Sequence, residues 1–362
     1  MFRKHKGKFA AGSRNRYQSG NVPQTPQKKK KAWKWVLLTI LLILLALIAA
    51  IVIFVITSLN KIQRADPNVE RLSQEEYDQL LGTDELDPDA AYPTVDENSI
   101  TFSTTPDGQV IGKEDHIVNI LLIGQDRREG EGRSRSDSMI LVSFNKKTNK
   151  ITMASFLRDN YVQLPDDYLP NRLNAAYAIG GMEMLDETLE INFGVSVDAN
   201  LEVDFSSFSS IIDILGGVDI ELTEAEASHM NGENGWGLTG GMNHLDGEQA
   251  LTYSRIRKLD SDFGRTNRQR NVLTSLFQAF KNIDLTQALS LINEIFPLLT
   301  TDMSNAEMIG YVTDLLPMLA KAELTSVHIP GDEDYYNATI RGMMVLVPDL
   351  DACREVLAEA LQ

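Results

Sequence analysis

Two kinds of apolar run divide this 362-residue chain. The first, VLLTILLILLALIAAIVIFVI at residues 36–56, holds 21 residues and no charge. At ~1.5 Å rise per residue a helix of that length covers roughly 30 Å, the thickness of a hydrocarbon core, so the run predicts a transmembrane helix over residues 36–57. A cleaved signal peptide would carry an apolar stretch of about 7–15 residues and then a small-residue cleavage site. SLNKIQRADP follows here instead.

The later runs are shorter and are bounded by turn residues. HIVNILLIG reads as a buried strand, and DSMILVSFN and KITMASFL as two more, joined into a hairpin by NKKTNK. LNAAYAIGGMEMLDETLEINFG and DFSSFSSIIDILGG have helical spacing and stop at glycine, the second leading into a strand at VDIEL. GEQALTYS begins a helix and RTNRQRNVLTSLFQAFKNI forms a longer one. The tail alternates helices with strands near TSVHIP and GMMVLV, and no internal repeat emerges. The pattern predicts a single α/β domain over residues 116–362, a mixed sheet with helices packed on it, preceded by the one N-terminal transmembrane helix.

Charge sets the topology. Residues 1–35 carry eleven basic side chains and no acidic one, so removing them takes the formal charge from −17 to −28. The KKKKAWK segment, with Trp33 and Trp35 where interfacial aromatics belong, places a basic tail of residues 1–35 in the cytoplasm. Everything past residue 58 is then extracellular, on a single-pass protein of the cell membrane. Residues 58–115, with DPN, DELDPDAAYP and TTPDG, read as an acidic stalk with one short helix at VERLSQEEYDQLL. Cys353 is the single cysteine, which excludes an intramolecular disulfide.

Three segments share one chemical character. In IGQDRREGEGRSRSDS a buried strand ends and releases Asp126 and Arg128, and Arg135 and Asp137 return at the start of the next strand. FLRDN places Arg158 and Asp159 at the end of the partner strand. YSRIRKLDSDFGRTNRQR contributes Arg255, Arg257, Asp262, Arg265, Arg268, Gln269 and Arg270. Arg255 and Arg257, two apart, share a face if that stretch is extended. Arg265, Arg268 and Gln269 share a face of the following helix. The planar fork of arginine suits a bidentate grip on phosphate oxygens. Paired aspartates beside it could hold Mg²⁺, which takes one or two carboxylates and completes its shell with water and substrate phosphate. Together these residues read as a pyrophosphate site.

Each piece alone has a plainer reading. A charged turn is usually solvated surface, and an arginine-rich helix in an acidic domain is usually a salt-bridge face. His244 in MNHLDGEQA fits a cap or support for the helix start better than a metal ligand, because no second histidine sits at ligand spacing. Ser134, Ser136 and Ser138 lack a Ser-His-Asp arrangement. No one of these readings explains the agreement of all three segments.

In order along the chain, LLIGQDRREGEGRSRSDSMILVSFN, SFLRDNYVQLP, RLNAAYAIGG, VDFSSFSSIIDILGGVDIEL and MNHLDGEQALTYSRIRK…DFGRTNRQRNVL resemble the LytR-CpsA-Psr family of cell-wall assembly proteins. The resemblance implies an extracellular, Mg²⁺-dependent phosphotransferase. Its donor is a glycopolymer, such as teichoic acid or capsule, on a polyprenyl-pyrophosphate carrier, and its acceptor is peptidoglycan at the 6-hydroxyl of N-acetylmuramic acid. By similarity Asp126 and Asp137 hold the metal, and Arg128, Arg135, Arg158, Arg255, Arg257, Arg265 and Gln269 bind the pyrophosphate. Arg158, Arg255, Arg257 and Asp262 are the expected catalytic residues, with Asp262 or Asp159 as base. This chain departs from many relatives in having Ala175 where a histidine is common, and Asn243 before His244 where a histidine pair is common. The alternative is a non-catalytic surface regulator or a binder of lipid-linked precursors. A nucleic-acid-binding attenuator would need the arginine-rich helix in the cytoplasm, and no nucleic acid is expected. The lipid carrier also calls for an apolar groove, with walls expected from Phe205, Phe208, Ile211, Ile212 and Leu215 and from Val272, Leu273, Leu276, Phe277 and Phe280.

Overall fold

The computed structural model of the protein describes residues 29–81, 92–105, 110–125, 133–260, 262–281, 285–319 and 321–362. The chain falls into two units, residues 1–54 and 55–362. Helix α1, Lys29–Leu59, covers the apolar run, and its described side chains from Ile40 to Leu45 are exposed. The run expected to form a transmembrane helix over residues 36–57 is helical. Its side chains are described only in pieces, at residues 39–46, 49 and 53–59, and among the described residues no helix is long and apolar enough to cross a membrane.

The second unit is built on thirteen described strands and nine further helices. In chain order the strands are β1 Gln63–Arg64, β2 Ile117–Gln125, β3 Ser136–Asn145, β4 Lys150–Phe156, β5 Tyr161–Val162, β6 Asn171–Arg172, β7 Ala199–Asp204, β8 Val218–Leu222, β9 Gly241–Leu245, β10 Thr300–Thr301, β11 Glu323–Ile329, β12 Tyr335–Ile340 and β13 Met343–Pro348. The helices are α2 Gln74–Leu81, α3 Leu173–Phe193, α4 Phe205–Ile214, α5 Glu224–Asn234, α6 Gly247–Ser254, α7 Asp262–Lys281, α8 Leu285–Ile295, α9 Asn305–Leu319 and α10 Leu350–Leu361. Seven strands form one sheet in the order β1-β10-β7-β2-β3-β4-β11. The expected hairpin is β3–β4, which pairs Ile140 with Ser155 and Asn145 with Lys150. Antiparallel β2–β3 and β3–β4 and parallel β2–β7 and β4–β11 make the sheet mixed, as the pattern predicts.

Both faces of the sheet are covered, which explains why β2 carries apolar residues on both faces rather than alternating, with Asn119 and Gln125 as its buried polar positions. Leu121 and Ile123 enter a core with Leu185, Leu189 and Phe193 of α3 and Leu357 of α10. Val118 and Ile120 point to the other face, against Met308, Leu315 and Met318 of α9. A smaller cluster joins Ile212 of α4, Ala250 and Tyr253 of α6 and Val272 of α7 to the β8–β9 ribbon. His244 does not cap the helix that follows it. Its ring bridges Asp219 and the Gly216 carbonyl at 2.8 Å each, and Asp246 caps α6.

Residues 58–115, expected as a stalk, contribute to this unit. β1 extends the sheet beside β10, and Tyr77 of α2 is 1 % exposed in the core. α3 breaks helical geometry at Gly181, whose φ of 71° only glycine adopts freely. Arg133 donates from Nε to the Ala178 carbonyl at 3.0 Å and from Nη2 to that of Ile179 at 2.9 Å, next to the break. Arg133, in the charged segment between β2 and β3, therefore holds a helix kink.

Candidate active site

The C-terminal ends of β2 and β4 and the start of β3 meet at one edge of the sheet because the three strands are antiparallel neighbours. The β2–β3 register shifts between Gly124 and Gln125, so Gln125 lies opposite Ser136. A Cβ on Gly124 would stand 3.0 Å from the Ser138 Cβ, which explains a glycine at this close approach. Gln125, wholly buried, donates to the Tyr177 hydroxyl at 2.6 Å, and that hydroxyl donates to Glu202 of β7.

Asp137 and Arg158 face each other across this edge. Arg158 Nη1 donates to Asp137 Oδ1 at 2.6 Å, and Arg257 Nη2 lies 3.4 Å from Oδ2. Burial alone would raise the Asp137 pKa, but Arg158, Arg265 and Arg257 outweigh it and hold the carboxyl below its ordinary range. Burial likewise opposes the charge on Arg158, and Asp159, Asp137 and Asp262 more than restore it. The linkage has a definite sign. A carboxyl with a depressed folded pKa stabilises the fold fully above its unfolded value, about 3.9, and loses that contribution as pH falls through the folded value. Asp137→Asn is therefore expected to flatten the acid limb of stability below about pH 4, measured as urea midpoints across an acid pH series. A limb that keeps its slope would show that Asp137 is not the charged partner of Arg158.

Around this pair lies a cleft of about 430 Å³ lined by Ser134, Arg135, Asp137, Arg158, Arg172, Asn174, Arg255 and Arg257. Asp262 and Arg265 are coupled to it rather than among its lining residues. Arg265 is 2 % exposed, and its Nη2 lies 2.8 Å from Asp262 Oδ1, while Arg158 Nε stands 4.0 Å from the same carboxylate. Burial is the main reason that the Asp262 carboxyl is raised above its usual range, with Arg265 opposing. Arg265 Nε and Nη1 and Arg158 Nε have no hydrogen-bond partner among the described residues. A buried donor left unspent costs about 1–3 kcal/mol, so these N–H groups call for an acceptor such as a water or a bound anion.

A second, apolar cavity of about 120 Å³ adjoins the cleft, walled by Leu122, Ile140, Leu201 and Val203 of the sheet and by Phe205, Phe208, Leu251 and Leu273 of α4, α6 and α7. The seam is a side-chain pair: the Arg255 guanidinium lies 4.3 Å above the Phe205 ring. Phe205, Phe208 and Leu273 are walls as expected. Ile212 and Val272 are wholly buried core instead, Ile211, Leu215, Leu276 and Phe277 do not line the cavity, and the Phe280 side chain lies outside the described residues.

The structure gathers Arg135, Asp137, Arg158, Arg255 and Arg257 in one cleft. Asp126 and Arg128 lie outside the described residues. Arg255 is the C-cap of α6 in helical conformation, so its alignment with Arg257 does not come from an extended stretch. Arg265, Arg268 and Gln269 do not act as one face. Arg268 pairs with Glu226 and Asp260 at 2.6 Å each, the salt-bridge role, and Gln269 accepts from Ser138 at 3.1 Å at the apolar cavity. Sequence reasoning missed Arg172 and Asn174 as site residues. Arg172 is held by the Met344 carbonyl at 2.7 Å and lies 3.5 Å from Asp159. The signal was the RLN that precedes AAYA, between segments already singled out.

The LytR_cpsA_psr family model matches residues 84–360. The chain belongs to the LytR_cpsA_psr family. Among curated relatives, the polyisoprenyl-teichoic acid–peptidoglycan teichoic acid transferase TagU of Bacillus anthracis is 32 % identical over 228 residues, covering 62 % of this chain and 72 % of TagU. Among solved family structures, TagT bound to LIIa-WTA is 27 % identical with a TM-score of 0.56, over 68 % of this chain and 90 % of that one. TagT with bound octaprenyl pyrophosphate lipid is 26 % identical with a TM-score of 0.53, over 69 % and 91 %.

Proposed function

We propose that this LytR_cpsA_psr family member is an extracellular phosphotransferase that moves a phospho-glycopolymer from a polyprenyl-pyrophosphate carrier to peptidoglycan, at the 6-hydroxyl of N-acetylmuramic acid. The observation that carries the reading is the junction of an arginine-rich cleft with an apolar groove at Arg255 and Phe205. A pyrophosphate with a polyprenyl tail has those two halves in that order. The names of the relatives, a teichoic acid transferase and a protein holding octaprenyl pyrophosphate, support the same donor.

In this reading the acceptor hydroxyl attacks the phosphorus that carries the glycan. The new bond is sugar oxygen to phosphorus, and the broken bond is that phosphorus to the bridging oxygen, which leaves with polyprenyl phosphate. Arg158, Arg255 and Arg257 stabilise the charge that grows on the bridging and non-bridging oxygens, with Arg135 and Arg172 orienting the outer phosphate. The hydroxyl proton passes to Asp262 or Asp159. Burial holds the Asp262 carboxyl above the ordinary carboxylate range, which suits a proton acceptor.

Mg²⁺ belongs to the proposal with Asp137 and Asp126 as its holders. Among the described residues no group of three or more His, Cys, Asp or Glu could hold a metal. One ionised carboxylate beside a phosphate site nevertheless suits an ion that keeps most of its shell as water and phosphate. When bound it would offset charge on the pyrophosphate. Asp137→Asn is expected to raise the Mg²⁺ concentration for half-maximal transfer about tenfold or more, with Ser136→Ala as the control. Equal Mg²⁺ titrations for the two variants would remove Asp137 from metal binding.

The α1 apolar run is proposed as the single-pass anchor, with its basic flank in the cytoplasm. Protease digestion of wall-stripped cells checks this, because protection of residues 116–362 would end the extracellular reading. The reaction itself is tested with full-length protein in detergent, a lipid-linked donor and peptidoglycan, by mass spectrometry of the product linkage. A product without the phosphodiester, or none at all, would overturn the transferase.

A further inference from the structure

A second polar cavity lies one aromatic contact from the helix turn that carries Asp262, and its character is opposite to that of the arginine cleft. Phe263, next in sequence to Asp262, packs its ring 5.2 Å from that of Tyr335 and 5.0 Å from that of His328, centroid to centroid. Tyr335 is also a wall of a cleft of about 480 Å³ that includes Thr101, Phe102, Glu333, Asp334 and Tyr336. One aromatic contact thus connects this cleft to the helix turn that carries Asp262 and Arg265. The backbone connects them too, since the Leu346 N–H of β13 donates to the Asp159 carbonyl at 2.9 Å.

The chemistry of the cleft excludes a second phosphate site. Its lining contains carboxylates and no lysine or arginine, so an anionic donor is repelled. Glu333 and Asp334 form no ion pair among the described residues and remain available as acceptors. Tyr336 is 49 % exposed, a large aromatic ring on a rigid hairpin. Tyr161, wholly buried at the same cleft, has its hydroxyl beside Arg341 but in no hydrogen bond of acceptable geometry. Flat rings that meet the apolar faces of sugars, with carboxylates and hydroxyls around them to take sugar O–H groups, make a site for a neutral polyhydroxyl chain.

We infer that this cleft seats the glycan strand of the acceptor, holding sugars beside the one whose hydroxyl reaches the arginine cleft. The inference rests on the transferase reading for its acceptor, and it adds where the acceptor lies and which residues select it. Tyr336 and Tyr335 are then the sugar platforms, and Glu333 and Asp334 the hydrogen-bond acceptors.

The test uses full-length protein in detergent and, as a neutral probe of the glycan backbone, a tetrasaccharide of N-acetylglucosamine, with peptidoglycan as the acceptor in the transfer assays. Two variants are made at exposed positions, Tyr336→Ala, which removes a platform, and Thr101→Trp, which fills the cleft. Calorimetry should show tetrasaccharide binding by the parent, weakened about tenfold in Tyr336→Ala, the size of one aromatic contact. In transfer assays the acceptor KM should rise by the same factor, with donor KM and kcat unchanged. Parental acceptor KM and saccharide affinity in both variants would overturn the inference. Binding of a lysine-rich peptide but not of the saccharide would overturn it as well. If the parent transfers nothing, the functional reading falls, and saccharide binding with its dependence on Tyr336 still decides this cleft.

Discussion

Arg158→Ala is expected to cut kcat for transfer by roughly 10²–10³, the loss seen when one preorganised donor to a developing oxyanion is removed. Arg158 is the residue on which the carboxylates of the site converge. It donates to Asp137 at 2.6 Å and lies 3.5 Å from Asp159 and 4.0 Å from Asp262. Removing it leaves these acids facing one another, partly buried, so a stability loss of about 3–5 kcal/mol accompanies the kinetic one. Arg158→Lys separates the two effects. It keeps the positive charge near the acids, restoring most of the stability, but it lacks the fork and should recover little activity. The measurement pairs urea denaturation with single-turnover transfer for both variants. A lysine variant as active as the parent would show that Arg158 supplies only charge balance to the acids.

Narrowing the apolar groove should remove the donor altogether. Leu273 lies on α7 among the groove walls, one turn beyond Gln269. In Leu273→Trp the larger ring occupies space taken by the first isoprene unit in the proposed complex. At ~0.8 kcal/mol per buried CH₂, excluding a five-carbon unit forfeits roughly 3–4 kcal/mol, or more than about a hundredfold in affinity. Protein purified from a bacterial host should carry polyprenyl phosphate or pyrophosphate, detected by organic extraction and mass spectrometry. The tryptophan variant should carry none, while Leu273→Met retains it. Parent protein free of lipid that also fails to bind added polyprenyl pyrophosphate would sink both the groove and the lipid-linked donor.

The two experiments probe opposite ends of one molecule, and their outcomes are separable. Loss of activity with lipid retained points to the cleft. Loss of both points to the groove. Phe205→Ala stands between them because the ring is at once a groove wall and the seat of the Arg255 guanidinium.

The sequence by itself determined the strands β2, β3 and β4, the hairpin and the helices α3, α4, α6 and α7, because each is a local pattern that its own residues satisfy. It also determined the chemical character of the site, since Arg135, Asp137, Arg158, Arg255 and Arg257 follow or precede strands and helices that were themselves readable. Tertiary structure decided the rest through contacts between residues far apart in the chain. β7 stands beside β2 near the middle of the sheet, yet ANLEVD is half polar because Asn200 binds Asp186 and Asp302 while Glu202 takes the Tyr177 hydroxyl. β1 and β10 are two residues each, too short to show any period, and they bring part of the expected stalk into the sheet. Among the arginines the sequence could not separate those that line the cleft from those that hold the fold. Arg133 serves a helix kink and Arg268 two carboxylates, because a guanidinium's task depends on which acceptors the fold places within reach of its fork.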